Sequence, residues 1–464
     1  MMKAIVFGTG KFFENREKYI RYLNPELSIV AFIDNNSKKR DYKGRRVYKP
    51  ERINELNFDR ILLMSRNSEE MRRQLLSFGV ANEKILDWDQ FLILYRRGEM
   101  QFYCGHEGNG NGKRILVLTA ELNYNGGTIA AAYAVKAMQD KGYQVCLAAE
   151  NGNLPFVYEM VEMGINVVLY PKLGDFGAEE RFFIRQFDVV LVNVFQMIRF
   201  AVIISKMRST LWWIHEPIYL IEETIERFPE YADINCFEDL KIYAVSPVPR
   251  TNFNHFFPKR INGLLPYGIP DYNCAPKTII KGKNEKIVFA LVGTFVFHKS
   301  QDLFLKATLK MHSNDAEFWM IGSVGDEGFF KEIQEKAEVF QNVRLFGEFS
   351  REEMGRIYDE IDVLVCPSRK DSLPIVCTEA MMYGKPVIVS DSTGTAHYIE
   401  NGKNGFVCKT DDADDLREKM EWIINNPKEL PIMGEQARKT YELYFSMDKF
   451  ADRLEELLCQ LFQS

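Results

Sequence analysis

One arrangement of residues occurs three times in this 464-residue chain and restricts its fold more than any other feature. An apolar run is followed by a Gly-containing turn and then by apolar residues at helical spacing. The three segments are "KAIVFGTGKFFENREKYIRYL", "KRILVLTAELNYNGGTIAAAYAVKAM" and "KIVFALVGTFVFHKSQDLFLKATLKM". Each opens a β-α unit, and apolar runs alternate with helical segments after it. We therefore predict an α/β protein with three parallel sheets, each covered by helices on both faces.

Polar, turn-rich segments mark the boundaries between these domains. "CGHEGNGNGKR", which begins at Cys104, and "PDYNCAPKTIIKGKNEK", which begins at Pro270, lack apolar periodicity. We predict a small Rossmann-like domain at 1–103, a linker at 104–112, and two larger Rossmann-like domains at 113–276 and 277–445. Apolar residues at helical spacing in 446–464 predict an amphipathic docking helix. A ligand is expected between the larger domains, at the carboxyl ends of their strands.

Composition restricts the class of protein. The chain is 46% hydrophobic and 27% charged. We expect no secretory signal, because the opening "MMKAIVFGTGKF" is a short strand-like run followed directly by a Gly turn. The chain also lacks an apolar run near the ~18 residues of a spanning helix. Its eight cysteines are scattered without CxxC pairs, mostly inside apolar runs. This distribution is typical of reduced structural thiols in the cytoplasm and argues against zinc or a disulfide framework.

The formal net charge of -6 conceals an uneven distribution. Residues 1–100 carry 20 Lys and Arg against 14 Asp and Glu, so this part is about +6 and the remainder about -12. Two interpretations stay open, namely attraction to anionic lipid or nucleotide, and a solvated basic face with no partner. We expect a cytoplasmic protein, with peripheral contact at the inner face of a membrane as an option, and no nucleic-acid partner. The oligomeric state does not follow from the sequence.

The segment "IDVLVCPSRKDSLPIVCTEAMMYGKPVIVS" predicts a strand, a polar loop, a helix and a second strand. Pro374 suits the first helical position and Gly384 a C-terminal cap. The helix therefore begins at the carboxyl end of a strand, where its free N–H groups favour a phosphate. Asp371 precedes this helix, and Glu379 lies about 7.5 Å along it at about 1.5 Å per residue. The two carboxylates could flank a nucleotide sugar; the alternative is the polar face of an ordinary helix.

This segment resembles the carboxylate-x7-Glu motif of the retaining glycosyltransferases with the two-domain GT-B fold, of the family 4 type (glycosyl transferases group 1). The resemblance covers residues 113–460 and also rests on an ordered series of short motifs. These are "ELNYNGGTIAAA", "WWIHEP", "YAVSP", "LLPYGIPD", "LVGTFVFHKSQD", "WMIGSVGDE", "NVRLFGEFS", "DVLVCPS" and "ENGKNGFV". It implies a metal-independent enzyme without a cofactor. Such an enzyme moves a sugar from a nucleotide-diphosphate sugar to a saccharide or lipid-linked saccharide, in surface polysaccharide or glycoconjugate synthesis.

The resemblance also implies a role for each matching residue. Glu379 would bind the donor ribose, and Asp371 the transferred sugar. Lys299 would neutralise the departing diphosphate, a contact strongest in the transition state, and His215 would lie near the transferred sugar. The glycines would let the backbone approach the donor. The expected catalytic residues are His215, Lys299 and Asp371, and the expected donor-binding residues are Gly126, Gly127, Gly293, His298, Lys299, Asp371, Ser372, Leu373 and Glu379.

Three positions depart from the family pattern. Asp371 replaces the usual Glu, and Thr294 stands where many members have Arg, leaving Lys299 and His298 to meet the diphosphate. In "TGTAH", Thr393 and His397 replace the family's first Gly and its Glu. We interpret these as subfamily variation. The alternative is a catalytically weak GT-B scaffold or chaperone subunit for an active partner, whereas a GT-B epimerase or phosphorylase has no distinguishing residues here.

Two other motifs have interpretations of their own. "DDADD", at 411–415, is interpreted as a helix cap rather than a metal site, because an amphipathic segment follows it. "FGTGKFF", with Asp34 located 24 positions beyond Gly10, is an incomplete dinucleotide fingerprint, because Phe13 replaces its third Gly. It is similar to the nucleotide-binding-like modules attached to several sugar-modifying enzymes. Nucleotide binding and a role in docking or partner contact both stay open.

Overall fold

The structure is a computed structural model that describes residues 2–14, 16–17, 20, 27–36, 40–65, 68–88, 90–91, 100–105, 112–273, 286–311 and 315–463. The chain divides into two compact units, one of residues 1–100 with 170–175 and one of residues 101–169 with 176–464. The described residues form three sheets whose pairing is predominantly parallel, which confirms the prediction from the repeated β-α pattern.

The first sheet belongs to the first unit. Its strands are β1 (Met2–Phe7), β2 (Leu27–Ile33), β3 (Asp41–Tyr42), β4 (Arg45–Tyr48), β5 (Arg60–Leu63) and β6 (Ile85–Asp87), with helices α1 (Lys11–Glu14) and α2 (Ser68–Ser77). The strand order is β3-β4-β2-β1-β5-β6, and the pairs are parallel except that β3 is antiparallel to β4. Buried aliphatic residues of the central strands, among them Ile5 and Ile61, form the core because both faces of this sheet are covered.

The second sheet follows in the larger unit. Its strands are β7 (Gln101–Tyr103), β8 (Arg114–Leu118), β9 (Gln144–Ala149), β10 (Val167–Leu169), β11 (Val189–Asn193), β12 (Ser209–Ile214), β13 (Leu240–Ala244) and β14 (Gly263–Leu264). The helices are α3 (Gly126–Asp140), α4 (Leu154–Glu162), α5 (Ala178–Ile184), α6 (Ile198–Ser205), α7 (Ile218–Arg227) and α8 (Pro247–Phe256). The strand order is β14-β13-β12-β11-β8-β9-β10-β7. β7 lies within the domain predicted at 1–103, yet it pairs antiparallel with β10. Residues 106–111 of the predicted linker are outside the described residues.

The third sheet lies in the C-terminal part of the larger unit. Its strands are β15 (Ile287–Val292), β16 (Ala316–Ile321), β17 (Val343–Phe346), β18 (Val363–Cys366), β19 (Val387–Ser390) and β20 (Gly405–Cys408). The helices are α9 (Gln301–Leu309), α10 (Glu327–Ala337), α11 (Arg351–Glu360), α12 (Ile375–Met382), α13 (Ala413–Asn425) and α14 (Leu430–Tyr444). The strands are parallel in the order β17-β16-β15-β18-β19-β20. After β15 the chain forms β16, which pairs with one edge of β15, and later β18, which pairs with its other edge. The topological switch point of the sheet, where α/β proteins bind ligands, therefore lies between β15 and β18.

The last helix, α15 (Met447–Gln463), returns to the second sheet and lies within the segment predicted as a docking helix. Its buried face repeats at helical spacing, with Phe450, Leu454, Leu458 and Leu461 in the core. The Phe450 ring stacks on Trp213 of β12 with 5.6 Å between ring centroids. This packing attaches the C-terminal end of the chain to the domain of the second sheet.

Candidate active site

Helix α12 begins at the carboxyl end of the third sheet, next to the switch point. The loop 367–374 connects it to β18. Pro374 is the N-cap, so the helix begins at Ile375, one residue later than predicted. Gly384 ends the helix with φ +68°, and the N–H of Lys385 donates to the Ala380 carbonyl at 2.9 Å. These features confirm the predicted Gly cap and the predicted helix after the strand. The N-terminus of α12 therefore faces the edge where a ligand is expected.

Lys299 and Asp371 meet at this edge. Lys299 lies in the loop after β15 and Asp371 in the loop after β18, and Lys299 Nζ is 2.5 Å from Asp371 Oδ2. The two side chains are 26% and 15% exposed, so the pair is largely shielded from water. Burial lowers the pKa of Lys299, but the Asp371 carboxylate outweighs burial and holds that pKa above its usual range. The ammonium group therefore stays charged at this position, and a charged donor of this kind binds phosphate oxygens strongly.

Glu379 occupies the second turn of α12. Its Oε2 accepts a hydrogen bond from the Tyr358 hydroxyl at 2.7 Å. Tyr358 is a buried residue of α11, and its ring stacks on Tyr383 at 5.2 Å between centroids. The Tyr358 hydroxyl thus orients the Glu379 carboxylate. The spacing of the carboxylate pair does not predict Tyr358, because α11 carries no motif of its own.

The loop between Asp371 and α12 is held from the domain of the second sheet. The Ser372 carbonyl accepts from Ser246 Oγ at 2.5 Å, and the Leu373 carbonyl accepts from the buried Tyr267 hydroxyl at 2.9 Å. Among the described residues, the N–H groups of Ser372 and Leu373 donate to no partner. Both carbonyls of this loop thus accept hydrogen bonds within the protein, whereas its two N–H groups have no partner among the described residues.

A second loop supports Asp371. Asp371 and Thr393 form a parallel bridge, and the Gly394 N–H donates to the Asp371 carbonyl at 3.0 Å. A Cβ at Gly394 would overlap the Ser372 carbonyl oxygen and Ser246 Oγ, so only glycine fits there. His397, which replaces the family's Glu, is exposed, and its ring lies edge-on to Tyr398. The "TGTAH" segment thus shapes the backbone around Asp371.

The remaining predicted residues of the third sheet lie around Lys299. The Gly293 N–H donates to the Ile321 carbonyl at 2.8 Å, and a Cβ at Gly293 would lie 3.6 Å from Lys299 Cδ. Thr294 is exposed, with its hydroxyl 3.3 Å from Ser323 Oγ. His298 is exposed beside Lys299. The structure therefore places these residues in one loop, with only Lys299 reaching Asp371.

His215 follows β12 in the domain of the second sheet. Its ring lies edge-on to Trp213 at 4.4 Å between centroids, and its buried Nε2 has no hydrogen-bond partner among the described residues. Burial lowers the pKa of His215 to about 3, so the imidazole is neutral at physiological pH. A neutral imidazole with a free nitrogen suits a hydrogen bond with a sugar hydroxyl.

Gly126 and Gly127 begin α3, which follows β8. The Asn125 side chain caps this helix by accepting from the Thr128 N–H at 2.9 Å. A Cβ at Gly126 would lie 3.7 Å from Cδ1 of Ile375, the first residue of α12. The N-termini of α3 and α12 therefore approach each other, and both glycines lie at the same cleft as the carboxylate pair.

A pocket of about 350 Å³ opens beside Asp371. Pro217 and Pro247, at the starts of α7 and α8, line one side, and Lys370, Asp371 and Ser392 line the other. Its volume falls within the range of small-molecule sites. The cleft thus has space next to the end of the site that is predicted to face the sugar.

Glu216, beside His215, is a buried carboxylic acid that the sequence interpretation missed. Its Oε2 accepts a hydrogen bond from the backbone N–H of His215 at 2.8 Å, and Glu216 is only 3% exposed. Burial raises the pKa of Glu216 to about 7, although the N–H groups of His215, Phe195 and Glu216 itself act in the opposite direction. Glu216 therefore fixes the backbone at His215, and its protonation changes near neutral pH.

The raised pKa of Glu216 predicts a pH-dependent stability. The folded state binds this proton more tightly than the unfolded state, so its contribution is complete below the unfolded pKa and is lost as pH rises through about 7. We expect the free energy of unfolding to fall by up to about 3 kcal/mol over that interval. The Glu216→Gln variant should lack this component. Urea unfolding of both proteins at several pH values tests it, and parallel profiles would contradict the assignment.

The first unit contains the incomplete dinucleotide fingerprint. The Thr9 N–H and hydroxyl donate to Asp34 Oδ2 at 2.9 and 2.6 Å. Phe13, which replaces the third Gly, is buried and packs edge-on against Phe32. Phe13 is therefore part of the hydrophobic core, and Asp34 accepts hydrogen bonds from Thr9 in the Gly-containing loop. Nucleotide binding by this unit stays a prediction.

Two further sequence interpretations concern metal and membrane. Asp412 caps α13 by accepting from the N–H groups of Asp414 and Asp415, so this acidic segment does act as a helix cap. The described part of the chain contains no group of three or more His, Cys, Asp or Glu arranged to hold a metal. Across the residues that the structure describes, no helix combines the length and the apolar composition needed to cross a bilayer.

Two family models and a curated relative match parts of this chain. Residues 277–440 match the family model "Glycosyl transferases group 1", and residues 1–86 match the model "C2185-like, N-terminal". An uncharacterized glycosyltransferase from Haemophilus influenzae is 22% identical over 72% of this chain and 96% of that protein.

Solved structures show the same fold over about three quarters of this chain. HepE from Anabaena in complex with UDP and glucose has a TM-score of 0.64 at 15% identity, covering 75% of this chain and 100% of that one. The complex of the same protein with UDP-glucose has a TM-score of 0.62 at 15% identity, with the same coverage. The predicted GT-B arrangement is thereby confirmed. Residues 277–440 therefore contain a glycosyl transferases group 1 domain, within a chain that is similar to a glycosyltransferase over most of its length.

Proposed function

We propose that this protein is a retaining glycosyltransferase of the family 4 type. It would move a sugar from a nucleotide-diphosphate sugar to a saccharide or lipid-linked saccharide, in surface polysaccharide or glycoconjugate synthesis. The observation that carries the proposal is the Lys299–Asp371 pair at the switch point, directly before the N-terminus of α12. An ammonium group and free helix N–H groups suit a diphosphate, and the carboxylates of Asp371 and Glu379 suit sugar hydroxyls on either side of it.

In this proposal each predicted residue acts on one part of the donor. Glu379, oriented by Tyr358, holds the ribose, while Lys299 and the N–H groups of Ser372 and Leu373 hold the diphosphate. Asp371 and the neutral His215 contact the sugar that is transferred. Peripheral contact with a membrane would bring a lipid-linked acceptor to the cleft.

The proposed reaction requires no nucleophilic side chain. The bond between the sugar C1 and the diphosphate oxygen breaks while an acceptor oxygen bonds to C1 on the same face. The acceptor proton passes to the departing diphosphate. Lys299 stabilises the negative charge that develops on that leaving group, which makes electrostatic stabilisation the largest contribution. Closure of the domains would position the acceptor and exclude water.

A thermal-shift screen against UDP, GDP and ADP sugars tests the donor class. A UDP sugar is the first choice, because HepE from Anabaena was crystallised with UDP-glucose. Binding raises the melting temperature by mass action, so at least one donor should stabilise the protein. If none does, the alternative of a scaffold or chaperone subunit is favoured.

The role of Glu379 predicts a specific loss of ribose recognition. We expect Glu379→Ala to weaken UDP binding by about 10- to 100-fold, because hydrogen bonds to a charged group are lost. Wild-type protein should bind 2′-deoxy-UDP less tightly than UDP, whereas the variant should bind the two alike. Isothermal titration measures all four affinities. Glu435→Ala, which removes an exposed carboxylate paired with Lys439, is the control and should change nothing. Unchanged UDP affinity in Glu379→Ala would contradict the ribose assignment.

A further inference from the structure

We propose that Arg369 is a positioning residue of the donor site, which sets the separation between Lys299 and Asp371. Its side chain connects the loops at the carboxyl ends of β15, β18 and β20. The inference rests on the proposed function, because the site that it orders is the proposed diphosphate site. Neither the carboxylate motif nor the family resemblance assigns a role to this residue.

Arg369 first holds the turn that carries Lys299. Its Nη1 donates to the Phe297 carbonyl at 2.6 Å, and its guanidinium lies 3.8 Å from the centroid of the Phe297 ring. Its backbone N–H donates to the His298 carbonyl at 2.9 Å. Three contacts from one residue therefore hold the two residues that immediately precede Lys299.

Arg369 then connects this turn to two further loops. Nη1 and Nη2 donate to the two carboxylate oxygens of Asp302, each at 2.8 Å, in the first turn of α9. Nε donates to Asp411 Oδ1 at 2.6 Å in the loop after β20. The Arg369 side chain is only 14% exposed. The planar fork of arginine makes this bidentate contact, and a lysine ammonium does not reproduce it.

The sequence positions explain how these contacts set the geometry of the site. Arg369 lies two residues before Asp371, and Phe297 lies two residues before Lys299. Both functional side chains therefore project from short segments that are tied to the same guanidinium. Ser300, directly after Lys299, adopts φ +63°, which a non-glycine residue keeps only where its surroundings impose it. The contacts of Arg369 supply such a constraint on one side of the turn.

Selective loss of diphosphate binding tests the proposal. Isothermal titration with UDP and with uridine measures the contribution of the diphosphate separately from that of the nucleoside. We expect Arg369→Ala and Arg369→Lys to weaken UDP binding by about 10- to 100-fold, because small displacements of positioned groups have effects of this size. Uridine binding should stay unchanged in both variants. If the screen selects another base, GDP with guanosine or ADP with adenosine replaces this pair.

Two further variants and a rescue experiment complete the test. Asp302→Asn replaces one of the two oxygens that accept from Arg369 with an amide nitrogen, and it should show the same selective loss of UDP binding. Asp411→Asn removes the negative charge of a side chain that is 57% exposed and should have a smaller effect. Methylguanidinium in the titration buffer should restore UDP affinity to Arg369→Ala and leave wild-type protein unaffected.

The outcomes separate a positioning role from a purely structural one. If the Arg369 variants fold and bind UDP as tightly as wild-type protein, or lose UDP and uridine affinity equally, the proposal is overturned. If wild-type protein binds no nucleoside diphosphate, the proposed function fails, and this inference fails with it. Circular dichroism of each variant before titration identifies those that fold.

Discussion

Lys299→Met is expected to lower kcat for sugar transfer by about 10²- to 10³-fold, the usual effect of removing a group that stabilises transition-state charge. Methionine keeps the apolar stem that lies beside Gly293 but removes the ammonium group. Asp371 also loses its ion-pair partner at 2.5 Å, so the sugar end of the site is altered as well. Release of nucleoside diphosphate from the preferred donor, followed over a range of donor concentrations, gives kcat and KM separately.

Lys310→Met is the matched control for this variant. Lys310 pairs with Asp414 at 2.7 Å on the surface, where its side chain is 40% exposed. Removing an exposed pair of this kind costs little stability and should leave kcat unchanged. A loss in Lys299→Met no larger than that of the control would contradict the leaving-group role of Lys299.

Gly394→Ala is expected to cause the largest loss of stability among the substitutions considered for this cleft. A Cβ at this position would overlap the carbonyl oxygen of Ser372, and a backbone atom yields less readily than the end of a flexible side chain. The loop must then move, which breaks the hydrogen bond from the Gly394 N–H to the Asp371 carbonyl. We expect a destabilisation of about 3 kcal/mol or more, together with loss of donor binding. Urea unfolding measures the first effect and titration with UDP the second.

Gly347→Ala is the control for replacing a glycine by alanine at a position without steric overlap. Gly347 lies after β17, is exposed, and has open space where a Cβ would be added. Its substitution should change the free energy of unfolding by no more than about 0.5 kcal/mol. Equal stability of the two variants would show that the overlap at Gly394 is relieved without cost, against the expectation.

Features that depend on local sequence were predictable. The three sheets follow from repeated apolar runs and Gly turns. The approximate start and end of α12 follow from Pro374 and Gly384, whose conformational preferences act within a few residues. The meeting of Lys299 with Asp371 joins residues 72 positions apart. It was predictable only through the family resemblance, because spacing carries no information on which strands become neighbours.

Other features depend on contacts that leave no local signal. Tyr358 donates to Glu379 from a helix without a motif, and Arg369 in a polar loop has the appearance of an ordinary exposed charge. Glu216 follows an apolar strand, but neither its burial nor its contact with the Phe195 N–H leaves a mark in the local sequence. β7 could not be assigned either, because a three-residue strand carries too few alternating positions to reveal its partner.

Whether the cleft binds and turns over a nucleotide sugar is tested most directly by the initial rate of nucleoside diphosphate release from UDP, GDP and ADP sugars by this protein. We expect at least one donor to be turned over, and we expect Lys299→Met but not Lys310→Met to suppress this rate. If no donor in the panel is bound or turned over by wild-type protein, the cleft is not a nucleotide-sugar site and the proposed function is wrong.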